Sequence, residues 1–191
     1  MASNHLEQLV AEWLEYRGYF VRRNVLVGRR AKGGYECELD VVAFNPHNQD
    51  LLHVEASMDA LKWTARNDRY GRKFELGRKY VPSLFKGLSI PKKLRQLALV
   101  GFGSKKNRTE TGGGQIVLLA DLLLEILGDL QARPMHSQAV PEQFALLRTL
   151  QCVADSKKRI WTGLESGAAI SVVALSTEPK AGLATPGAPC A

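Results

Sequence analysis

Asp40 and Glu55 are the residues whose type and setting most invite chemistry in this sequence, because each interrupts a run of apolar and β-forming residues, 36–44 and 51–57. Side chains alternate along an extended strand. That alternation predicts Glu36, Glu38 and Asp40 on one face of the first run, with Cys37, Leu39, Val41 and Ala43 on the other. In the second run His53, Glu55 and Ser57 share a face opposite Leu52, Val54 and Ala56. A carboxylate within such a strand is costly to bury unless something pairs with it. Two acids on neighbouring strands can converge on Mg²⁺ or Mn²⁺, hard cations that take oxygen ligands. Such an ion polarises a phosphodiester and lowers the pKa of a bound water. The competing reading pairs each acid with an arginine in a structural network.

The elements that must position this pair follow from periodicity. Leu6, Leu9, Val10, Trp13 and Leu14 recur at helical spacing, which predicts a helix over 4–18 stopped by Gly18. Glu12 and Glu15 face away from its apolar side, and Glu7 stands at the border. Strands follow at 19–27, 36–44 and 51–57, the first two separated by a basic, glycine-containing turn at 28–34. A helix over 60–80 carries Tyr70, Phe74 and Gly77 on one side, and Pro82 and Pro91 bracket an irregular connection. A strand at 96–102, a flexible basic loop at 104–114, a short strand at 115–119 and a helix over 120–130 come next. Further on are a helix over 141–154, a strand at 170–175 and a disordered tail from 177. The fold class expected is α/β, a mixed central sheet of about five strands flanked by helices. Residues 1–131 form its core, 132–176 a helical extension packed on that core, and 177–191 the tail.

Charge is unevenly spread. Residues 1–110 hold 20 Lys/Arg against 12 Asp/Glu, a net of +8, whereas 111–191 hold 6 against 7, a net of −1. The excess positive charge therefore lies beside the acid pair and favours a polyanionic partner. The segment 62–79 concentrates it, with Arg66, Arg69 and Lys73 in a helical stripe. Phosphate contact is the functional reading and a solvated helix face the plain one. Three cysteines, Cys37, Cys152 and Cys190, have neither disulfide-framework nor zinc-ligand spacing. No apolar run is long enough to cross a bilayer, and the start reads as an amphipathic helix rather than a signal peptide. A cytoplasmic protein with reduced thiols is expected.

Asp40, followed one strand later by Glu55-Ala56-Ser57, resembles the PD-(D/E)XK nuclease motif of the restriction-endonuclease-like fold. The element order over about two-thirds of the chain is similar to that fold as well. The Holliday-resolvase and Mrr-like branch is the nearest likeness. The resemblance implies a metal-dependent DNA endonuclease, with Mg²⁺ or Mn²⁺ held by Asp40 and Glu55 and a working unit that is often a dimer. Glu7 stands where a helical acid joins the site in that branch, although Asn4 to Glu7 also has the spacing of a helix capping box.

The sequence departs from the motif where it matters. Ser57 replaces the usual lysine, and no proline precedes Asp40. A hydroxyl cannot supply the missing charge. A basic residue of the next helix is then expected to reach in, Lys73 first and Lys79 second, with Lys73 or Ser57 orienting the nucleophile; otherwise the domain binds nucleic acid, or serves assembly, without cutting it. Arg29, Arg30, Lys32, Arg66, Arg69 and Lys79 are the expected phosphate contacts. His53 shares the acid face and is expected to be a hydrogen-bonded core residue. Gly112, Gly113 and Gly114 lack a phosphate-loop pattern and read as a loose hinge.

Overall fold

The computed structural model describes residues 5–105 and 107–166. The chain forms two compact units, one ending at Asp155 and the other beginning at Ser156. The first holds helix α1 (His5–Tyr16), strands β1 (Phe20–Arg29), β2 (Tyr35–Asn45) and β3 (Asp50–Ser57), helix α2 (Trp63–Leu84) and strand β4 (Leu94–Val100). Strands β5 (Glu110–Thr111) and β6 (Gly114–Leu118) follow, then helices α3 (Leu119–Gln131), α4 (Met135–Gln138) and α5 (Ala145–Asp155). In the second unit the described part is helix α6 (Lys157–Ser166). The strand expected at 170–175 and the tail from 177 lie outside the described residues.

The sheet is mixed, in the order β1-β2-β3-β4-β6-β5. Its first three strands form an antiparallel meander, β3, β4 and β6 run parallel, and β5 returns antiparallel at the edge. An α/β core is therefore the architecture, with six strands rather than about five. The extra strand lies inside the segment expected to be a flexible loop. Gly112 and Gly113 both have positive φ, 60° and 82°. They form the two-residue turn that closes the β5–β6 hairpin. That turn is not loose. Gly112 N–H donates to Asn67 Oδ1 at 2.8 Å, and a Cβ on Gly112 would come within 2.3 Å of the Gly71 nitrogen. Glycine is required because hairpin and helix touch backbone to backbone.

The apolar periodicities become two covered faces. Leu6, Val10 and Leu14 of α1 pack on Val41, Ala43, Leu52, Val54 and Ala56. On the opposite face Val81 and Phe85 meet Val42, Phe44 and Leu51, while Tyr70 and Phe74 meet Ala98, Val100 and Ile116. Each of the larger of these side chains, from valine to phenylalanine, contributes about 1.5–3 kcal/mol on burial. Helix α2 runs through Pro82 instead of stopping before it. The proline ring is exposed and sits in the last turn, where one lost hydrogen bond costs little beside the burial of Val81 and Phe85. A further cluster joins Leu9 and Trp13 to Ile126, Leu130 and Leu147, so the helical extension as far as Asp155 shares the core. Among the described residues, no helix is long and apolar enough to cross a membrane.

Candidate functional site

The site lies where the sheet forks. Strands β2 and β3 pair as far as Val41 and Val54, beyond which β3 continues on β4 to Ser57 while β2 continues on β1. Asp40 and Glu55 stand at this parting, and their carboxylates take over from the ladder. Asp40 N–H donates to Glu55 Oε1 at 3.3 Å, and Ala56 N–H donates to Asp40 Oδ2 at 2.9 Å. Backbone donors that the fork would orphan are thereby satisfied. The remaining oxygens, Asp40 Oδ1 and Glu55 Oε2, both accept from Lys73 Nζ of α2, at 2.6 Å from Asp40 and in close contact with Glu55.

Simple alternation along β2 fails at this point. Leu39 packs with Val81 and Phe85 on the α2 side, whereas Val41 packs with α1, although both were expected on one face. Asp40 reaches Lys73 on the α2 side, while Glu38 accepts from Asn24, which also donates to Glu7 of α1. The register places Asn24 directly opposite Asp40, and its φ is 52°. A left-handed residue in one strand of the pair twists the ribbon locally and re-aims the side chains. Glu36, Glu38 and Asp40 therefore do not form one acidic face. Glu7 joins Asn24 at 3.4 Å instead of entering the carboxylate pair.

Electrostatically the pair is unbalanced. Burial, and then the neighbouring Glu55 charge, push Asp40 up to about 7, against the pull of Lys73 and the Ala56 N–H. Burial pushes Glu55 up too, but the His53 hydrogen bond and Lys73 outweigh it and hold Glu55 below the ordinary carboxylate value. Burial disfavours the Lys73 ammonium, yet Glu55 and Asp40 together hold it above the usual lysine value. The two acids titrate as a unit that gives up its first proton readily and its second reluctantly.

His53 is a hydrogen-bonded core residue, as its place on the acid face leads one to expect; its partners are what spacing does not reveal. It is fully buried, with Nε2 2.7 Å from Glu55 Oε1 and Nδ1 3.2 Å from Gln96 Nε2. Arg78 donates to Gln96 Oε1 at 2.7 Å, which turns the amide nitrogen towards the ring. The ring therefore accepts at Nδ1 and donates from Nε2 to Glu55, a chain that fixes the carboxylate. Gly77 lies directly against it, since a Cβ there would fall 2.3 Å from His53 Nδ1. The sequence signal was the i, i+2 pair His53 and Glu55; the partner on β4 was out of reach of any spacing rule.

The remaining expected residues divide. Ser57 is buried and its Oγ is hydrogen-bonded to Asp59, so it supports the following turn and does not stand in for the lysine. Arg66, expected to touch phosphate, is 3% exposed and donates to Asp59 Oδ1 at 3.1 Å and to the Asp59 carbonyl at 2.6 Å. Its helical position faces the turn after β3, which is a structural clamp and a correction to the basic stripe. Arg69 is exposed and pairs with the same Asp59 at 2.8 Å. Lys79 is exposed beside Glu36 at 3.3 Å, and Arg29, Arg30 and Lys32 are exposed around the β1–β2 turn.

Among the described residues, no group of three or more His, Cys, Asp or Glu is placed to hold a metal. The donor chemistry still fits a hard cation. Two carboxylate oxygens converge on one point already occupied by a positive group, and Mg²⁺ commonly takes one or two carboxylates with water and phosphate completing its shell. No family model and no curated protein matches the chain. A solved crystal structure described as a protein of unknown function, AF1548, is similar at 12% identity and a TM-score of 0.38, covering 85% of this chain and 98% of its own.

Proposed function

We propose that the chain is a metal-dependent DNA endonuclease of the PD-(D/E)XK type whose lysine comes from helix α2 instead of the third strand. The observation that supports this is the Lys73 ammonium bridging Asp40 and Glu55 at the fork of the sheet. A bound Mg²⁺ or Mn²⁺ would supply Lewis-acid polarisation of the phosphodiester and a water of lowered pKa. Asp40 Oδ1 and Glu55 Oε2 would hold it, and His53 keeps Glu55 in the binding orientation. Lys73, on a flexible stem and partly exposed, then moves from the carboxylates to the attacking water or the departing charge. Exposed Arg29, Arg30, Lys32, Arg69 and Lys79 supply phosphate contacts, so affinity should fall steeply with salt.

The second reading is a nuclease-like fold that binds nucleic acid, or serves assembly, without cutting. It is favoured by Lys73 lying against both carboxylates, where its ammonium occupies the place between them without a metal. The deciding experiment is a cleavage assay on linear, supercoiled and branched DNA with Mg²⁺ or Mn²⁺, comparing wild type with Glu55→Gln and Lys73→Ala. Cleavage lost in both variants supports the nuclease. Wild-type protein that binds DNA but cuts none of these substrates supports the silent module.

A further inference from the structure

Trp63, the first residue of α2, borders an open cleft of about 440 Å³ that is separate from the acid pair. Asn67 and Asp68 of α2 line it on one side, with Arg108, Glu110 and Thr111 of the β5 hairpin region on the other. Two guanidinium groups lie over the indole ring, Arg66 at 5.1 Å and Arg108 at 5.6 Å from its centroid. Arg66 is fixed there by Asp59, whereas Arg108 is exposed. Thr111 is 3% exposed, and its Oγ1 is the buried side-chain polar atom that lacks a hydrogen-bond partner among the described residues.

The lining selects the chemistry of that partner. Asp68 and Glu110 repel a phosphate, so the basic residues here do not make an anion site. An aromatic face with carboxylates beside it suits a flat, uncharged ring bearing N–H donors. Asn67 Oδ1 is taken by Gly112 N–H, which leaves its Nδ2 to donate to a ring carbonyl. We infer that the cleft holds an unpaired nucleobase stacked on Trp63, guanine first. Guanine presents two adjacent N–H donors to one carboxylate, and its carbonyl can accept from Asn67. The base enters over the indole in place of the Arg108 guanidinium, which then stacks on it or moves to the adjoining phosphate. Trp63 and Lys73 are about 15 Å apart along the helix, the reach of a few nucleotides. This rests on the nuclease reading for the source of the base, a DNA strand instead of a free nucleotide.

The test is metal-free binding, with EDTA present, of short single-stranded oligothymidylates carrying one dG or an abasic gap at the same position. Wild type should bind the dG strand about tenfold more tightly than the abasic one. Trp63→Leu should erase that preference. Because Trp63 also packs partly into the core, the exposed pair Asp68→Asn and Glu110→Gln provides a second arm. It should reduce the dG preference several-fold with an unchanged melting temperature. Equal binding of the two strands by wild type would overturn the inference. Deoxyguanosine monophosphate competing as well as the strand would overturn DNA as the source. Preference for dG with no cleavage of any substrate would keep the cleft and remove the nuclease, whereas cleavage without preference would remove the cleft alone.

Discussion

Glu12 and the Asp40–Glu55 pair are both buried carboxylates, and they are settled in opposite ways. Glu12 was expected to face away from the apolar side of α1, yet it is 6% exposed. Its Oε2 accepts Leu146 N–H at 2.9 Å and Leu147 N–H at 3.1 Å at the start of α5, and its Oε1 accepts from Gln8 at 2.9 Å. A helix N-terminus offers unpaired donors and partial positive charge, so this carboxylate is satisfied without any cation. Asp40 and Glu55 instead share one ammonium, and one of them is pushed up to about 7. Burial alone does not mark a reactive group. Burial with an unbalanced charge is what sets the proposed site apart.

The largest expected contrast is in cleavage. Asp40→Asn should lower the cleavage rate by a thousandfold or more, on the order of the several kcal/mol a metal site contributes. Glu12→Gln should leave it within about threefold. Stability should run the other way. Glu12→Ala strands two N–H groups of α5 and should cost about 2–3 kcal/mol in urea unfolding, whereas Asp40→Asn removes a strained charge and should be near neutral at pH 8. If Asp40→Asn destabilised as much as Glu12→Ala and still cut DNA, the distinction between the two sites would collapse.

Lys73→Met tests the imbalance itself. Removing the shared ammonium leaves two buried acids facing each other, which should cost about 3 kcal/mol at pH 8. The loss should shrink below pH 7 as Asp40 takes up its proton. In metal-free wild type, Asp40 with a folded pKa near 7 binds more protons than it does unfolded, so its contribution to stability falls as pH rises from about 4 to 7. Glu55, held below its ordinary value, acts in the opposite sense, adding stability that is lost as pH falls through its folded pKa. Asp40→Asn should remove the decline between pH 4 and 7. An unfolding profile that keeps the same slope in the variant would assign the decline to other groups.

Much of this arrangement was legible before any coordinates. The period of Leu6, Val10 and Leu14, the apolar alternation of Leu52, Val54 and Ala56, and the acids set into β2 and β3 gave the layers and the pair. Lys73 was reachable because the motif lacked its lysine and the next helix was basic. What stayed hidden was non-local or depended on a break in regularity. Asn24 at φ 52° sends Glu38 and Asp40 to different helices, and no strand-alternation rule anticipates a left-handed asparagine opposite an acid. Gln96 becomes the partner of His53, and Arg78 that of Gln96, only through the β3–β4 pairing and the passage of α2. Gly112 reads as part of a loose hinge because the sequence carries no trace of the α2 backbone it touches, nor of the Phe74 ring that lies against Gly114.

The smallest expected effect separates two arginines that the sequence placed in one stripe. Arg66 and Arg69 both hold Asp59, but Arg66 is buried and Arg69 is half exposed. Arg66→Ala should cost about 2–3 kcal/mol, because Asp59 and the turn after β3 lose a buried partner. Arg69→Ala should change stability by under about 0.5 kcal/mol, the range of a solvent-screened pair. Its consequence should fall on DNA instead. The slope of log affinity against log salt should drop by about 1 in Arg69→Ala, the change expected for one lost phosphate contact. Arg66, 3% exposed and committed to the turn, is out of reach of phosphate, so a partly destabilised but folded Arg66→Lys should keep the wild-type slope. Equal slopes for Arg69→Ala and wild type would move the phosphate contacts off α2 and onto the β1–β2 turn, where Arg29, Arg30 and Lys32 are exposed.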